Sequence, residues 1–436
     1  MNSWRALAVL LVVAGCATSP EERRERLYEN TFITPLPVEP SDRPTLAVKD
    51  LIDVKGTVTT AGSQFLWKNR PPATRDAACL RIARSRGVPI VGKVNLSEFA
   101  LGTSGLNEFF GTPRSPLDLR RRFVPGGSSS GSAVAVAAGF ADVSFGTDTA
   151  GSIRVPAAYC GVLGLKTTFG LVPLDGVFPL SPDHLDTVGP MARDVRHLEL
   201  GMEWLDPGFR PKYRAARARF PNARAVTVGR FYLRDTPREI DEAIDAALRD
   251  VGFRVVVLPE AFRDDWETAQ GHGGTISMVD GLLSDQQFRD KPGVSAATKA
   301  ILTAAALESP ESYREALAWR RTWRRSLARV FERVDFIALP TTNGLPPRIP
   351  FLGRTAALES LVFSQQNTVA VNYAGNPAIA IPVPIEDDSV PVTSLQLIGP
   401  RLADAELIRA AAIIEQHYEN NKPMRRPEPS LAARSR

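Results

Sequence analysis

The chain is expected to fold as one large α/β domain, and three observations support this. Helix and strand signals alternate along its length, the pattern of a large sheet covered by helices. Its 436 residues are 44% hydrophobic and 23% charged, so there is enough apolar material for a large core. No internal repeat divides it, and low complexity is confined to a tail from about Lys422 onward.

The elements follow in order. Residues 1–15 read as a targeting segment. Arg5 precedes the apolar run Ala6 to Ala14, which is too short to span a bilayer as a helix. Val13-Ala14-Gly15-Cys16 then resembles the lipobox of bacterial lipoproteins, where the signal is cut before the cysteine and the cysteine is acylated. A lipidated Cys16 would anchor the protein to a membrane by burying acyl methylenes. Ala17, in place of Asp, favours the outer membrane over the inner one, on the periplasmic side of the envelope. An ordinary secretory signal with a chance cysteine is the alternative.

Residues 16–44 are polar and proline-bearing and read as a tether, 45–421 as the domain, and 422–436 as a polar tail. Ala77, Leu80, Ile82 and Ala83 stand at helical spacing over 76–86, and 88–92 reads as a buried strand. A small-residue helix is expected over 132–139, with Ser132 as its cap. Strands are expected over 225–231, 254–258 and 336–339, and helices over 237–251 and 311–334. Gln270-Gly271-His272-Gly273-Gly274 reads as a glycine-hinged loop, either lining a site or simply connecting elements.

Charge excludes little but points away from nucleic acid. The net charge of +5 comes from 53 basic and 48 acidic residues, and its short Arg runs suit solvated helix faces. Beyond Cys16, the chain has Cys79 and Cys160, which could pair but suit two buried thiols better. No His/Cys/Asp/Glu cluster has metal-ligand spacing, so neither metal nor cofactor is expected.

Two stretches carry the chemistry: Gly126-Gly127-Ser128-Ser129-Ser130-Gly131-Ser132, and Gly146-Thr147-Asp148-Thr149-Ala150-Gly151-Ser152-Ile153-Arg154. Such densities of small residues let backbone approach backbone or a ligand. With Lys49 upstream, they suggest nucleophilic catalysis without histidine. A Ser-His-Asp triad recruiting His184, His197, His272 or His417 is the alternative, but no Gly-x-Ser-x-Gly elbow supports it.

In order, Leu46-Ala47-Val48-Lys49-Asp50, Thr59-Thr60-Ala61-Gly62-Ser63, Gly92-Lys93-Val94-Asn95, the two serine stretches and Asp186-Thr187-Val188-Gly189-Pro190 resemble the amidase signature family. The likeness covers about Thr45 to Glu415. It implies a mixed twisted sheet flanked by helices, and hydrolysis of a carboxylic amide through an acyl-serine. Ser152 would be the nucleophile, Lys49 the base and Ser128 the proton relay, following a cis peptide after Gly127. Thr149, Ala150 and Gly151 would form the oxyanion hole with backbone N–H groups. Asp148 and Arg154 would pair to fix that turn, and Ser129 would bond into the same network. Lys93 is assigned packing or hydrogen bonding. Ser130 and Ser115 depart from the family's usual glycine and asparagine.

The stretch 261–307 is the least family-like and is expected to shape a pocket for a small-molecule amide. Apolar, amino-acid, peptide-like and urea-type amides all fit the same machinery. The alternatives are the glutamine-hydrolysing subunit of an amidotransferase, and a non-catalytic envelope protein on the same fold. The oligomeric state is open.

Overall fold

The computed structural model describes residues 29–39, 41–117, 122–349, 355–387 and 389–421. The targeting segment, Cys16, the tether up to residue 28 and the tail 422–436 lie outside the described residues.

Eleven strands form one mixed sheet: β1 (Phe32–Pro35), β2 (Leu46–Lys49), β3 (Ile90–Val94), β4 (Val143–Asp148), β5 (Leu163–Lys166), β6 (Thr187–Ala192), β7 (Thr227–Arg230), β8 (Arg254–Val257), β9 (Phe336–Pro340), β10 (Ala378–Pro384) and β11 (Val392–Ile398). Their spatial order is β1-β3-β2-β4-β6-β5-β10-β11-β9-β7-β8. β2 runs parallel between β3 and β4, and β7 runs parallel between β9 and β8. An antiparallel middle from β4 to β9 joins these two parallel groups.

Both faces are covered, so the central strands are apolar throughout instead of alternating with polar residues. Along β10, Ile379, Ile381 and Val383 pack into one core with the helices Val195–Leu205, Arg238–Val251 and Asp404–Asn421. Ala378 and Ala380 face the other side, where small side chains admit the helices Ser130–Ala138, Arg154–Cys160 and Val369–Ala374. The long helices Glu260–Asp285 and Pro310–Phe331 complete that layer. Among the described residues no helix is long and apolar enough to cross a membrane.

The structure differs from the sequence expectations at four places. β1 pairs antiparallel with β3, so the end of the expected tether is built into the sheet. Ser132 caps no helix. It lies inside Ser130–Ala138, and its hydroxyl donates to the Phe145 carbonyl. The expected helix over 76–86 is a short 3-10 turn, Ala78–Leu80, followed by Arg81–Ser85. Gln270–Gly274 is no loop but the middle of Glu260–Asp285. There, Phe262, Trp266, Ala269, Gly273 and Ile276 form a buried stripe, and tertiary packing overrides the low helix propensity of glycine. A Cβ on Gly273 would stand 2.7 Å from Val369, so glycine is what lets the two helices meet.

Candidate active site

β2 places Leu46 and Val48 in the main core and turns Lys49 to the opposite face, toward the two serine stretches. Alanines and serines on Ser130–Ala138 let this helix sit close to β2 and β4. Lys49 is fully buried, and its Nζ donates to Ser128 Oγ at 2.7 Å and to Thr147 Oγ1 at 2.8 Å. Burial disfavours the ammonium form and lowers its pKa to about 7, against the opposing pull of Asp148 and Asp186. Lys49 is therefore poised to accept a proton near neutrality.

Ser128 is fully buried and follows a cis Gly127–Ser128 peptide, as the family resemblance implies. Ser152 lies on the turn after β4, and the Ser129 amide donates to its carbonyl at 3.2 Å, tying the two serine stretches together. Ser129 Oγ donates to the Thr147 carbonyl at 3.2 Å. The turn Thr149-Ala150-Gly151 runs directly into Ser152. Gly151 has φ +140°, and a Cβ there would collide with Thr368 Oγ1, so only glycine fits.

Asp148 and Arg154 are both fully buried and form a two-point pair, Nε to Oδ2 at 3.0 Å and Nη2 to Oδ1 at 2.9 Å. Burial alone would raise the Asp148 pKa, but the Arg154 charge and hydrogen bonds hold it down at about 2. Asp148 Oδ2 also accepts from the Ile153 amide at 3.1 Å, so the pair grips the turn that carries Ser152.

The sequence did not single out several partners that hold this centre. Arg154 also donates to the Thr368 carbonyl at 3.0 Å and to Gln396 Oε1 at 2.6 Å, and Asn372 Nδ2 donates to Asp148 Oδ1 at 2.8 Å. Thr368 Oγ1 donates to the Ala150 carbonyl. These partners lie far downstream in the chain, so no local spacing could mark them. Asp186 stood in a family-like segment without a role. Its carboxylate accepts from Thr149 Oγ1 at 2.6 Å and from the Leu180 and Ser181 amides at 3.0 and 2.9 Å.

The other candidates fall elsewhere. Lys93 forms a buried ion pair with Asp50 at 2.6 Å and donates to Thr59 Oγ1, a structural role. Ser115 Oγ donates to the Tyr159 carbonyl at 2.6 Å. His184 pairs with Asp280, Nδ1 to Oδ2 at 2.8 Å, and His197 with Asp194. Each imidazole is thus engaged away from Ser128 and Ser152. Cys79 and Cys160 are both buried and form no disulfide with each other, and Cys160 Sγ donates to the Pro125 carbonyl at 3.3 Å.

Ser152, Thr149 and Ala150 open onto a cavity of about 420 Å³. Its wall is mainly apolar, with Leu101, Leu180, Met278, Ile301, Leu302 and Phe363. Much of that wall comes from the stretch 261–307, through the helices Glu260–Asp285 and Ala296–Ala305.

A family model described as Amidase matches residues 45–229 and 269–408. The chain is 32% identical to the A subunit of the glutamyl-tRNA(Gln) amidotransferase of Halobacterium salinarum, over 89% of this chain and 99% of that one. It is 34% identical to a 2-amino-5-chloromuconic acid deaminase of Comamonas testosteroni, over 85% of this chain and 80% of that one. A crystal structure described as an amidase superposes with a TM-score of 0.71 at 28% identity, covering 86% and 84% of the two chains.

Proposed function

The chain belongs to the amidase family, and on that premise we propose that it hydrolyses the C–N bond of a small carboxylic amide through an acyl-serine. One observation carries the reading: the buried Lys49 Nζ lies 2.7 Å from Ser128 Oγ, beside a serine that opens onto a cavity.

Neutral Lys49 takes the Ser128 proton as Ser128 takes that of Ser152. The Ser152 oxygen attacks the amide carbonyl, and the N–H groups of Thr149, Ala150 and Gly151 hold the developing oxyanion. Collapse of the tetrahedral intermediate expels the amine, which receives the proton back from Lys49 through Ser128. Water, deprotonated along the same route, then attacks the acyl-serine, and the acid leaves as the Ser152 oxygen takes the proton back from Lys49 through Ser128. Asp148, Arg154 and Asp186 position the turn and touch no reacting atom.

A serine-directed fluorophosphonate should label wild type at Ser152 and leave Ser152→Ala unlabelled. Equal labelling of the two would refute the nucleophile. A panel of linear amides, run on both proteins, then defines the substrate.

The likeness to amidotransferase A subunits supports a second reading, glutamine hydrolysis with partner subunits. Glutaminase activity together with co-purifying subunits would favour it, and turnover by the isolated chain would favour the first. We further propose that Cys16 is acylated and holds the enzyme on the periplasmic side of a bacterial envelope, the outer membrane being the favoured site. Metabolic palmitate labelling that survives Cys16→Ser would overturn this.

A further inference from the structure

Beside the apolar cavity lies a second one of about 290 Å³ with a different character. The two meet at Ala297, Ile301 and Glu359, which line both. Glu98 and Glu359 stand in the wall of the second cavity, each 8% exposed. Both act as acceptors. Glu98 Oε2 takes the Ser295 amide at 2.9 Å and Thr298 Oγ1 at 2.8 Å, while Glu359 Oε2 takes the Thr103 and Ser104 amides at 2.6 and 2.9 Å. Among the described residues neither enters an ion pair. Buried carboxylates without a cation favour a positively charged ligand.

A second observation points the same way. Ser97 lines this cavity, is 2% exposed, and its Oγ has no hydrogen-bond partner among the described residues. A buried hydroxyl left unpaired is uncommon unless a ligand or water completes it. Ser97 is also coupled to the catalytic centre, because its amide donates to the Ser128 carbonyl at 3.1 Å. A ligand atom held at Ser97 would therefore adjoin the backbone that carries the relay.

We propose that the two cavities form one bipartite substrate site, which takes an amide whose apolar segment adjoins the scissile bond and whose far end carries an ammonium. The apolar segment lies against Leu180, Met278 and Leu302, and the ammonium lies between Glu98 and Glu359 with Ser97 Oγ as a further acceptor. This rests on the amidase reading and adds the substrate class. A terminal carboxylate would meet two like charges and be rejected.

The test compares amides that share an alkyl chain and differ only at its end: ammonium, methyl or carboxylate. One series places the chain on the acyl side as p-nitroanilides, and the other on the leaving amine. In one of the two series kcat/KM should favour ammonium over methyl by about tenfold or more, with carboxylate last. Glu98→Gln keeps an acceptor for Ser295 and Thr298 but removes the charge, and should shrink that ratio mainly through KM. Ser97→Ala should shrink it less. Equal rates for ammonium and methyl in both series, or a preference for carboxylate, would overturn the proposal. If no amide is cleaved, the amidase reading is what fails. Calorimetry with hexylammonium and hexanoate on Ser152→Ala still decides the second cavity: hexylammonium binding alone supports it, and hexanoate binding as well or better overturns it.

Discussion

Around Lys49 the side chains are held by directed bonds, whereas across the cavity the helices Glu260–Asp285 and Ala296–Ala305 present mainly carbon. Lys49, Ser128, Asp148 and Arg154 are fully buried, and each has named partners between 2.6 and 3.1 Å. Met278, Ile301 and Leu302 meet the same cavity through non-directional contact. A hydrogen-bonded centre is costly to disturb because any removed partner leaves a buried polar group unsatisfied. An apolar wall loses only contact area, so substrate preference can change without touching the chemistry.

The largest expected effect tests the first half of this contrast. Arg154→Ala removes the guanidinium that grips Asp148 at two points and leaves a buried carboxylate without its directly bonded cation. Breaking such a pair should destabilise the fold by about 3–5 kcal/mol, read as a fall in the midpoint of denaturant unfolding. The pair also has a pH signature. The Asp148 pKa is depressed to about 2 from its ordinary value of 3.8, so its contribution is present above the unfolded pKa and fades as pH falls through that interval. Wild type should lose stability there, and Arg154→Ala should lose less. An unfolding midpoint unchanged by the substitution would show that the pair does not hold the turn.

That contrast also explains what was legible in the sequence. Lys49, Ser128 and Ser152 stood out because each sits in a local run of small or apolar residues whose order is itself a signal. The Asp148–Arg154 pair was readable because both residues flank one turn, six positions apart. Thr368, Asn372 and Gln396 were not, since only the tertiary packing that lays Arg154–Cys160 over β10 and β11, and sets Asn372 beside Asp148, gives them a role. Gln270–Gly274 misled because local glycine content suggests a hinge, while the stripe from Phe262 to Ile276 needs a partner helix before it means anything. β1 was hidden for a similar reason: its short run in a polar stretch becomes a strand only through the free edge of β3.

The next effect is a pH profile. With its pKa lowered to about 7, Lys49, as the proposed base, would be protonated and unable to accept a proton below that value and competent above it. kcat/KM should therefore fall about tenfold per unit as pH drops below 7 and level off above it. Lys166, also buried and lowered to about 7, donates to the Thr167 and Asn376 carbonyls, so the profile needs assignment. Thr147→Val removes an acceptor that favours the Lys49 ammonium, and should move the midpoint to lower pH. A midpoint that stays put in Thr147→Val, or a flat profile from about pH 5 to 9, would remove Lys49 from the base role.

The smallest expected effect falls on the wall. Met278 is partly buried, lines the apolar cavity and has no named hydrogen bond to the catalytic layer. Met278→Ala should enlarge the cavity and weaken contact with a long apolar substrate more than with a short one. The loss of a few methylene-sized contacts is worth about 1–3 kcal/mol, so the ratio of kcat/KM between long and short amides should shift by about ten- to two-hundredfold at most. Most of that shift should appear in KM, because contacts made equally in the ground and transition states leave kcat alone. The pH midpoint should stay where wild type has it, since no Met278 atom bonds to Lys49. A large fall in kcat for every substrate, or a moved midpoint, would mean that wall and catalytic layer are coupled, and the division between them would no longer hold.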